Sequence, residues 1–316
     1  RLADRAGQAE LDWTKFQTDR QIVLAFYQAL SWKELREVAE QNVSTLKEHL
    51  DDAQLLKRTG VSTNYDVLRV EVQMSEAQTE LLNAQDEEVL SLKRLLETLG
   101  RSPEEATTLT GQLPVVELPE AATTGLDSSK RSDLIAQGYR VSASGEEANA
   151  ASKHWFPKLG LFGQYQHYNN LGDKAFQTSG QFRDAYNLGV QVTWNLFDGL
   201  SANAKAHQSA EQKIQNEKTL EMARLRAAND LENWRRKFRY FSQVFKARSN
   251  DVNKATESVR LARVGRKAGV RTTSEQLDAE LELFRARAGV VRSQVGMIEA
   301  LVNLERSSGV RLYSFN

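Results

Sequence analysis

Glu275 and Asp278 stand three residues apart, a step that puts two carboxylates on nearly the same face of a helix, one turn apart. Asp66 and Glu275 each follow a threonine by three residues, Thr63 and Thr272, the spacing of a capping box. Acids of this kind attract cations when several copies gather in a ring, and in the first turn of a helix they also stabilise its dipole. Other chemistry is absent from the sequence. The four histidines, His49, His154, His167 and His207, are far apart, and none has metal-ligand spacing. There is no phosphate-binding glycine loop and no nucleophile motif. With no cysteine, disulfides and thiolate metal sites are excluded, which suits an oxidising compartment. No enzyme, no cofactor and no metal is expected. Lys+Arg and Asp+Glu both number 42, so the zero net charge gives no reason to expect nucleic acid as a partner.

The elements that position these acids are long. The prolines are Pro103, Pro114, Pro119 and Pro157; Gln8 to Thr59, Val61 to Leu99 and Leu200 to Val264 contain neither Gly nor Pro. The last stretch has 65 residues, enough for a helix of ~98 Å if unbroken. Residues 8–59 and 200–264 are predicted as long helices that turn back at Gly60 and Gly269. Leu231, Trp234, Phe238, Phe241, Phe245, Val252, Ala255, Val259 and Ala262 alternate by three and four, interrupted at Arg248, as in a heptad seam. The helix after Gly60 carries two stripes, Leu68, Val72, Leu82 and Val89 on one and Val70, Met74, Ala77, Leu81 and Ala84 on the other. Two seams mean neighbours on two sides, as in a closed ring of helices.

A shift of 209 residues aligns Gly60 with Gly269, Val61 with Val270, Thr63 with Thr272, Leu68 with Leu277, Glu71 with Glu280, Ala77 with Ala286 and Gly100 with Gly309, without a gap. Each copy reads as a helical hairpin whose turn is centred on Gly-Val, the glycine supplying a left-handed backbone position. Between the copies, residues 101–130 read as an irregular linker and 131–157 as a helix. After Pro157 the period changes to two. Leu159, Leu161, Gly163, Tyr165 and His167 alternate with Lys158, Gly160, Phe162, Gln164 and Gln166. Tyr186, Leu188, Val190, Val192, Trp194 and Leu196 alternate with Asn187, Gly189, Gln191, Thr193 and Asn195, after a polar loop containing Asn169, Asn170, Asp173 and Arg183. A membrane β-strand needs about 9–11 residues of such alternation, but a soluble hairpin packed on helices has the same pattern. No apolar run reaches the length of a transmembrane helix.

These features together resemble the TolC-like outer-membrane efflux proteins. The resemblance lies in the Asn195-Leu196-Phe197-Asp198-Gly199 strand-to-helix junction, the Phe156-Pro157-Lys158-Leu159 strand entry, and the Arg58-Thr59-Gly60-Val61-Ser62 and Lys267-Ala268-Gly269-Val270-Arg271-Thr272 turns. It covers almost the whole chain, in the order hairpin, linker, β-hairpin, hairpin. The implied fold is mainly α: two repeats of coiled-coil hairpin (1–100 and 198–309) in an α-barrel, with a β-hairpin (158–197) contributing to a trimeric β-barrel, and 310–316 as an equatorial tail. The implied function is an outer-membrane exit duct of a Gram-negative bacterium with a long periplasmic portion. It would be a passive homotrimeric conduit of a tripartite efflux or type I secretion system, docked on a periplasmic adaptor and an inner-membrane pump. A soluble periplasmic coiled-coil adaptor or scaffold is the alternative, though an adaptor would show lipoyl-like β segments.

By resemblance, Glu275 and Asp278 line the periplasmic constriction, Arg271 is the tip arginine, and Asp66 is its acidic partner in the first hairpin. Gly60, Val61, Gly269 and Val270 form the periplasmic tips. Tyr165, Tyr168, Tyr186 and Trp194 are expected as the membrane girdle. Arg266 and Tyr65 depart from the family pattern, which implies an aromatic and a small hydroxyl residue there. Trp13, Trp32 and Trp234 read as packing residues. The chain opens at Arg1 inside a helical pattern, so an amino-terminal segment supplying two further strands per subunit is expected to precede it; two strands from each of three chains fall short of the eight-strand minimum of known barrels.

Overall fold

The computed structural model describes residues 1–119, 123, 125–168 and 183–314. The inter-strand loop residues Asn169, Asn170 and Asp173 lie outside the described residues. Five α-helices and one two-stranded sheet are described: α1 (Leu2–Arg58), α2 (Asn64–Thr98), α3 (Ser132–Ser152), β1 (Lys158–Tyr168), β2 (Arg183–Thr193), α4 (Ser201–Lys267) and α5 (Thr273–Ser308). At ~1.5 Å per residue, the 67 residues of α4 span ~100 Å. The chain divides into two compact units. One comprises Arg1–Ala3 and Gln137–Leu220, the other Asp4–Ala136 and Glu221–Asn316.

In the second unit, the internal repeat has become two hairpins with the same turn. Gly60 and Gly269 adopt φ of +79° and +72°, a region open to glycine at little steric cost. The amide of Val61 donates to the Leu56 carbonyl at 2.9 Å, and that of Val270 to the Gly265 carbonyl at 2.9 Å. Both bonds join residue i to i−5 and satisfy carbonyls that the helix end leaves open. α2 and α5 then start on complete capping boxes, Thr63 with Asp66 and Thr272 with Glu275.

The larger hydrophobic core joins Tyr27, Leu30 and Leu35 of α1, Leu113 and Val116 of the linker, Phe238 of α4, and Met297, Ile298, Leu301 and Val302 of α5. The linker is irregular but pinned. Lys33 Nζ donates to the Leu109 carbonyl at 2.9 Å, Glu34 accepts from the Leu113 amide at 2.9 Å, and Arg235 Nε donates to the Thr123 carbonyl at 2.9 Å. Below this core, the fully buried Glu305 accepts from Arg20 at 2.5 Å and from the amides of Leu312 and Tyr313 at 2.6 and 2.9 Å, tying α1, α5 and the tail together. A second cluster packs Leu46 and Ala53 of α1, Val67, Val70 and Ala77 of α2, and Leu277 of α5 near the turns.

The two stripes of α2 separate as their spacing implies. Val70, Ala77 and Ala84 are buried, while Leu68, Val72, Leu82 and Val89 are exposed. The heptad seam of α4 faces inward at Leu231, Phe238, Val259 and Ala262. Trp13 is buried, stacked on Phe16 and capped by Arg131, as befits a packing residue.

In the other unit, β1 and β2 pair antiparallel from Lys158↔Thr193 to Tyr168↔Arg183. β2 therefore starts before Tyr186 and ends before Trp194, earlier than the alternation suggested. The reason is the partner strand: Pro157 has no N–H to extend the ladder toward Trp194 and Leu196.

Candidate functional site

The candidate site is built at the turns, where both hairpins end. Glu275 is committed to its cap: its Oε2 accepts from the Thr272 amide at 2.8 Å and hydroxyl at 3.1 Å. The backbone hydrogen bond from Thr272, then that from its hydroxyl, with the nearby Arg271 charge, hold the Glu275 carboxyl below the ordinary range. Asp66 has the same arrangement and the same direction, led by the Thr63 amide and hydroxyl. Both acids thus stay ionised to lower pH than an ordinary carboxyl.

Within the chain Arg271 does not pair with Asp66. Arg271 Nη1 donates instead to Glu275 Oε1 at 3.3 Å, four residues along its own chain, and Asp66 accepts from Ser62 and Thr63. A partner one helical turn away is reached without ordering any other segment, and the Arg271 stem lies across Gly265, where a Cβ would come within 2.7 Å of its Cγ. The contacts that do join the two hairpins pair residues that the sequence reading did not link. Arg69 Nη2 of α2 donates to Asp278 Oδ1 of α5 at 2.9 Å. Arg266, one of the departures from the family pattern, reaches Asp52 of α1 at 3.3 Å. Deeper in, Glu280 is buried against His49, with Gln276 donating at 3.1 Å and the Arg263 guanidinium forming an ion pair at 3.5 Å. Burial pushes the Glu280 carboxyl up, but the hydrogen bonds from His49 and Gln276 and the charges of His49 and Arg263 together outweigh it and hold the group below its ordinary value. The repeat could have pointed to Arg69, since the same shift places it on Asp278. No sequence signal links His49 to Glu280.

At the tips, Val61 and Val270 are 74% and 78% exposed, apolar side chains on offer beside Gly60 and Gly269. Among the described residues no group of three or more His, Cys, Asp or Glu could hold a metal ion.

The β-hairpin has two faces. Leu159↔Val192, Leu161↔Val190, Gly163↔Leu188 and Tyr165↔Tyr186 share one, and Lys158↔Thr193, Gly160↔Gln191 and Gln164↔Asn187 share the other. Leu161 and Leu188 are 84% and 83% exposed, an apolar face with nothing on it. Phe162 is the exception on the polar face, its ring lying over Gly189, where a Cβ would come within 2.6 Å. Tyr165 and Tyr186 pack ring to ring at 5.1 Å near the loop end, while Tyr168, three residues on along β1, belongs to the other face. Trp194 lies just past the other end, its indole N–H donating to the Trp155 carbonyl at 3.1 Å. Trp155, Phe156 and Phe197, also exposed there, extend the aromatic group beyond the four residues expected. No helix is long and apolar enough to cross a membrane among the described residues.

Comparison with known proteins points one way. The profile of the family described as "Outer membrane efflux protein" matches residues 128–310. "Outer membrane protein TolC" of Vibrio cholerae is 20% identical over 291 residues, which cover 91% of this chain and 66% of that protein. "Outer membrane efflux protein BepC" of Brucella suis is 22% identical over 295 residues, covering 92% of this chain and 62% of that one. The chain thus spans just under two thirds of the length of these relatives. Among solved structures, the outer-membrane channel OprN superposes with a TM-score of 0.82 at 20% identity, over 98% of this chain and 69% of that one. The open-state Neisseria gonorrhoeae MtrE outer membrane channel gives 0.80 at 19%, over 98% and 70%.

Proposed function

Because the chain belongs to the outer membrane efflux protein family, we propose that it is the greater part of one subunit of a homotrimeric exit duct in the outer membrane of a Gram-negative bacterium. The duct serves a tripartite efflux or type I secretion system as a passive conduit. An inner-membrane pump drives transport, and a periplasmic adaptor docks at the hairpin tips. Opening occurs where the tips converge.

The observation that carries this reading is the unequal burial of equivalent residues. Leu277 of α5 is 2% exposed, packed on the first hairpin, while its repeat counterpart Leu68 of α2 is 51% exposed. The second hairpin buries its Leu277 face on the first, and the corresponding Leu68 face of the first is left for another hairpin. A second copy supplies that hairpin, and repetition closes a ring of six hairpins from three chains. The β-hairpin supports the same reading. Its aromatic groups are separated by ~27 to ~37 Å along the chain, counting eight residues from Tyr186 to Trp194 and eleven to Phe197 at ~3.4 Å. At the usual barrel tilt this brackets an apolar band ~25 Å tall. A soluble adaptor or scaffold would have no use for such an exposed apolar face.

Glu275 and Asp278 line the constriction in sets of three, and the carboxylate charge that Arg69 and Arg271 leave uncancelled there attracts cations and binds polyvalent ones as a block. The test is single-channel recording of the full-length protein in planar bilayers. Glu275→Gln combined with Asp278→Asn is expected to weaken cation selectivity and polyvalent block. Unchanged selectivity in a conducting double variant would reduce these acids to helix-start residues.

A further inference from the structure

Arg69 and Asp278 differ by 209 in number, the period of the internal repeat. They are therefore the same position in two hairpins whose turns share their hydrogen bonds and their capping boxes. A salt bridge of 2.9 Å joins them across the two repeats of one chain. That is unusual geometry for a ring. In side-by-side packing, a residue meets a different position on its neighbour, as His49 meets Glu280, whose repeat counterpart is Glu71. A position that touches its own counterpart does so where neighbouring units converge. In a six-membered ring the spacing between equivalent points equals their distance from the axis, so side-chain contact between them places both within side-chain reach of the axis.

The same symmetry carries the contact to the next chain. If position 69 of one hairpin meets position 278 of the next, then position 278 in turn meets position 69 of the hairpin beyond it. The arginine donates through one terminal nitrogen and the aspartate accepts through one oxygen, and the Asp278 side chain is 59% exposed, which leaves room for a second arginine. Resting on the trimeric duct proposed above, we propose that Arg69 and Asp278 of three copies form a closed ring of six alternating charges at the constriction, each Asp278 held by the Arg69 of its own chain and by that of the next. This ring is neutral and self-latched. The level of Asp66 and Glu275, which are also repeat counterparts, then carries six carboxylates against three Arg271 guanidiniums, and the cation selectivity of the tip belongs to that level. Arg69 sets the selectivity by cancelling charge at Asp278.

Disulfide trapping tests the arrangement, since these 316 residues contain no cysteine. In the full-length protein, Arg69→Cys with Asp278→Cys should give crosslinked monomers together with covalent dimers and trimers on mild oxidation. A second pair, Glu71→Cys with Ser258→Cys, reports on the ring of hairpins alone, because it is the repeat counterpart of Glu280 and His49 at the junction between chains. Chains linked through positions 71 and 258, with only intrachain crosslinks at 69 and 278, would overturn the alternating ring and leave the trimer standing. No interchain crosslink at either pair, in a protein that sediments as a monomer in detergent, would overturn both. Conductance gives an independent reading. Arg69→Asp should raise cation over anion permeability and trivalent-cation block several-fold, and adding Asp278→Arg should return both to the parent values. A conducting Arg69→Asp channel with unaltered selectivity would overturn the proposal.

Discussion

Glu280 is a carboxylate taken out of water and kept charged by its neighbours, His49 from α1, Arg263 from α4 and Gln276 from its own helix. Removing Glu280 leaves the buried His49 and Gln276 without their hydrogen-bond acceptor, so Glu280→Ala should destabilise the protein by roughly 1–3 kcal/mol. Its pH dependence follows from the sign of the shift. A carboxyl whose folded value is depressed contributes stability that is complete above the ordinary glutamate range and is lost as pH falls through the folded value. The lead of the parent over Glu280→Gln in thermal melts should be full near pH 7 and shrink as the pH is lowered past about 4. A lead that stays constant or grows in acid would contradict this origin. In sequence, His49 is one of four scattered histidines and Glu280 no more than the counterpart of Glu71. Their partnership spans 231 residues and depends on how α5 lies against α1, which no local spacing encodes. Arg271 and Asp66 are each satisfied within one turn of their own helix start, so no pairing between them is needed within the chain.

At the scale of elements, the repeat and the heptad seam were legible because both are periodic, and periodicity survives without knowledge of the partner. The break in the seam at Arg248 was visible, but its reason was not. α5 carries Gly289 and Gly296 seven residues apart, opposite Arg248 and Phe241, which are also seven apart on α4. The arginine fits as a knob because a glycine faces it. The two glycines should respond differently to one methyl group. A Cβ at Gly296 would lie 2.5 Å from the Phe241 ring, so Gly296→Ala should cost roughly 1–3 kcal/mol by forcing helix or ring to move. A Cβ at Gly289 would meet the flexible Arg248 stem at 3.3 Å. That stem can yield, and alanine is the better helix former, so Gly289→Ala should be neutral or stabilising by up to ~1 kcal/mol. Circular-dichroism melts of the two variants should fall on opposite sides of the parent or nearly so; equal losses would mean the α4–α5 seam is not packed this way. The caps offer a test of the repeat itself. Thr63→Ala and Thr272→Ala each remove the same capping-box acceptor, and each should cost about 1 kcal/mol. A large inequality in the same melts would show that one turn is supported by contacts the other lacks.

For the whole molecule, the order of hairpin, linker, β-hairpin and hairpin was already plain in the sequence, but alternation alone left the β-hairpin's surroundings open between water and lipid. The register narrows the choice. Leu159, Leu161, Leu188, Val190 and Val192 share one face of an antiparallel pair, and Leu188 and Val190 are 83% and 63% exposed. Two strands also leave two open edges, whose unpaired amides and carbonyls water can satisfy and lipid cannot. Within a membrane this hairpin therefore needs strands from elsewhere to close a barrel, with the apolar face outward and Gln191, Thr193 and Asn187 inward. A charged side chain on the lipid face near the midplane is penalised by roughly 2–4 kcal/mol, and one on the lumen side is not. Val190 pairs with Leu161, two pairs from the middle of the ladder, and Gln191 pairs with Gly160 on the opposite face. Val190→Arg should accordingly reduce the amount of assembled trimer in the outer-membrane fraction, while Gln191→Arg, one residue away and equally basic, should leave it near the parent level. Comparing neighbouring positions with the same substitution removes any general effect of added charge on synthesis or export. Equal tolerance at the two positions would mean that the apolar face meets something other than lipid, and a soluble hairpin covered by protein would then account for the alternation better.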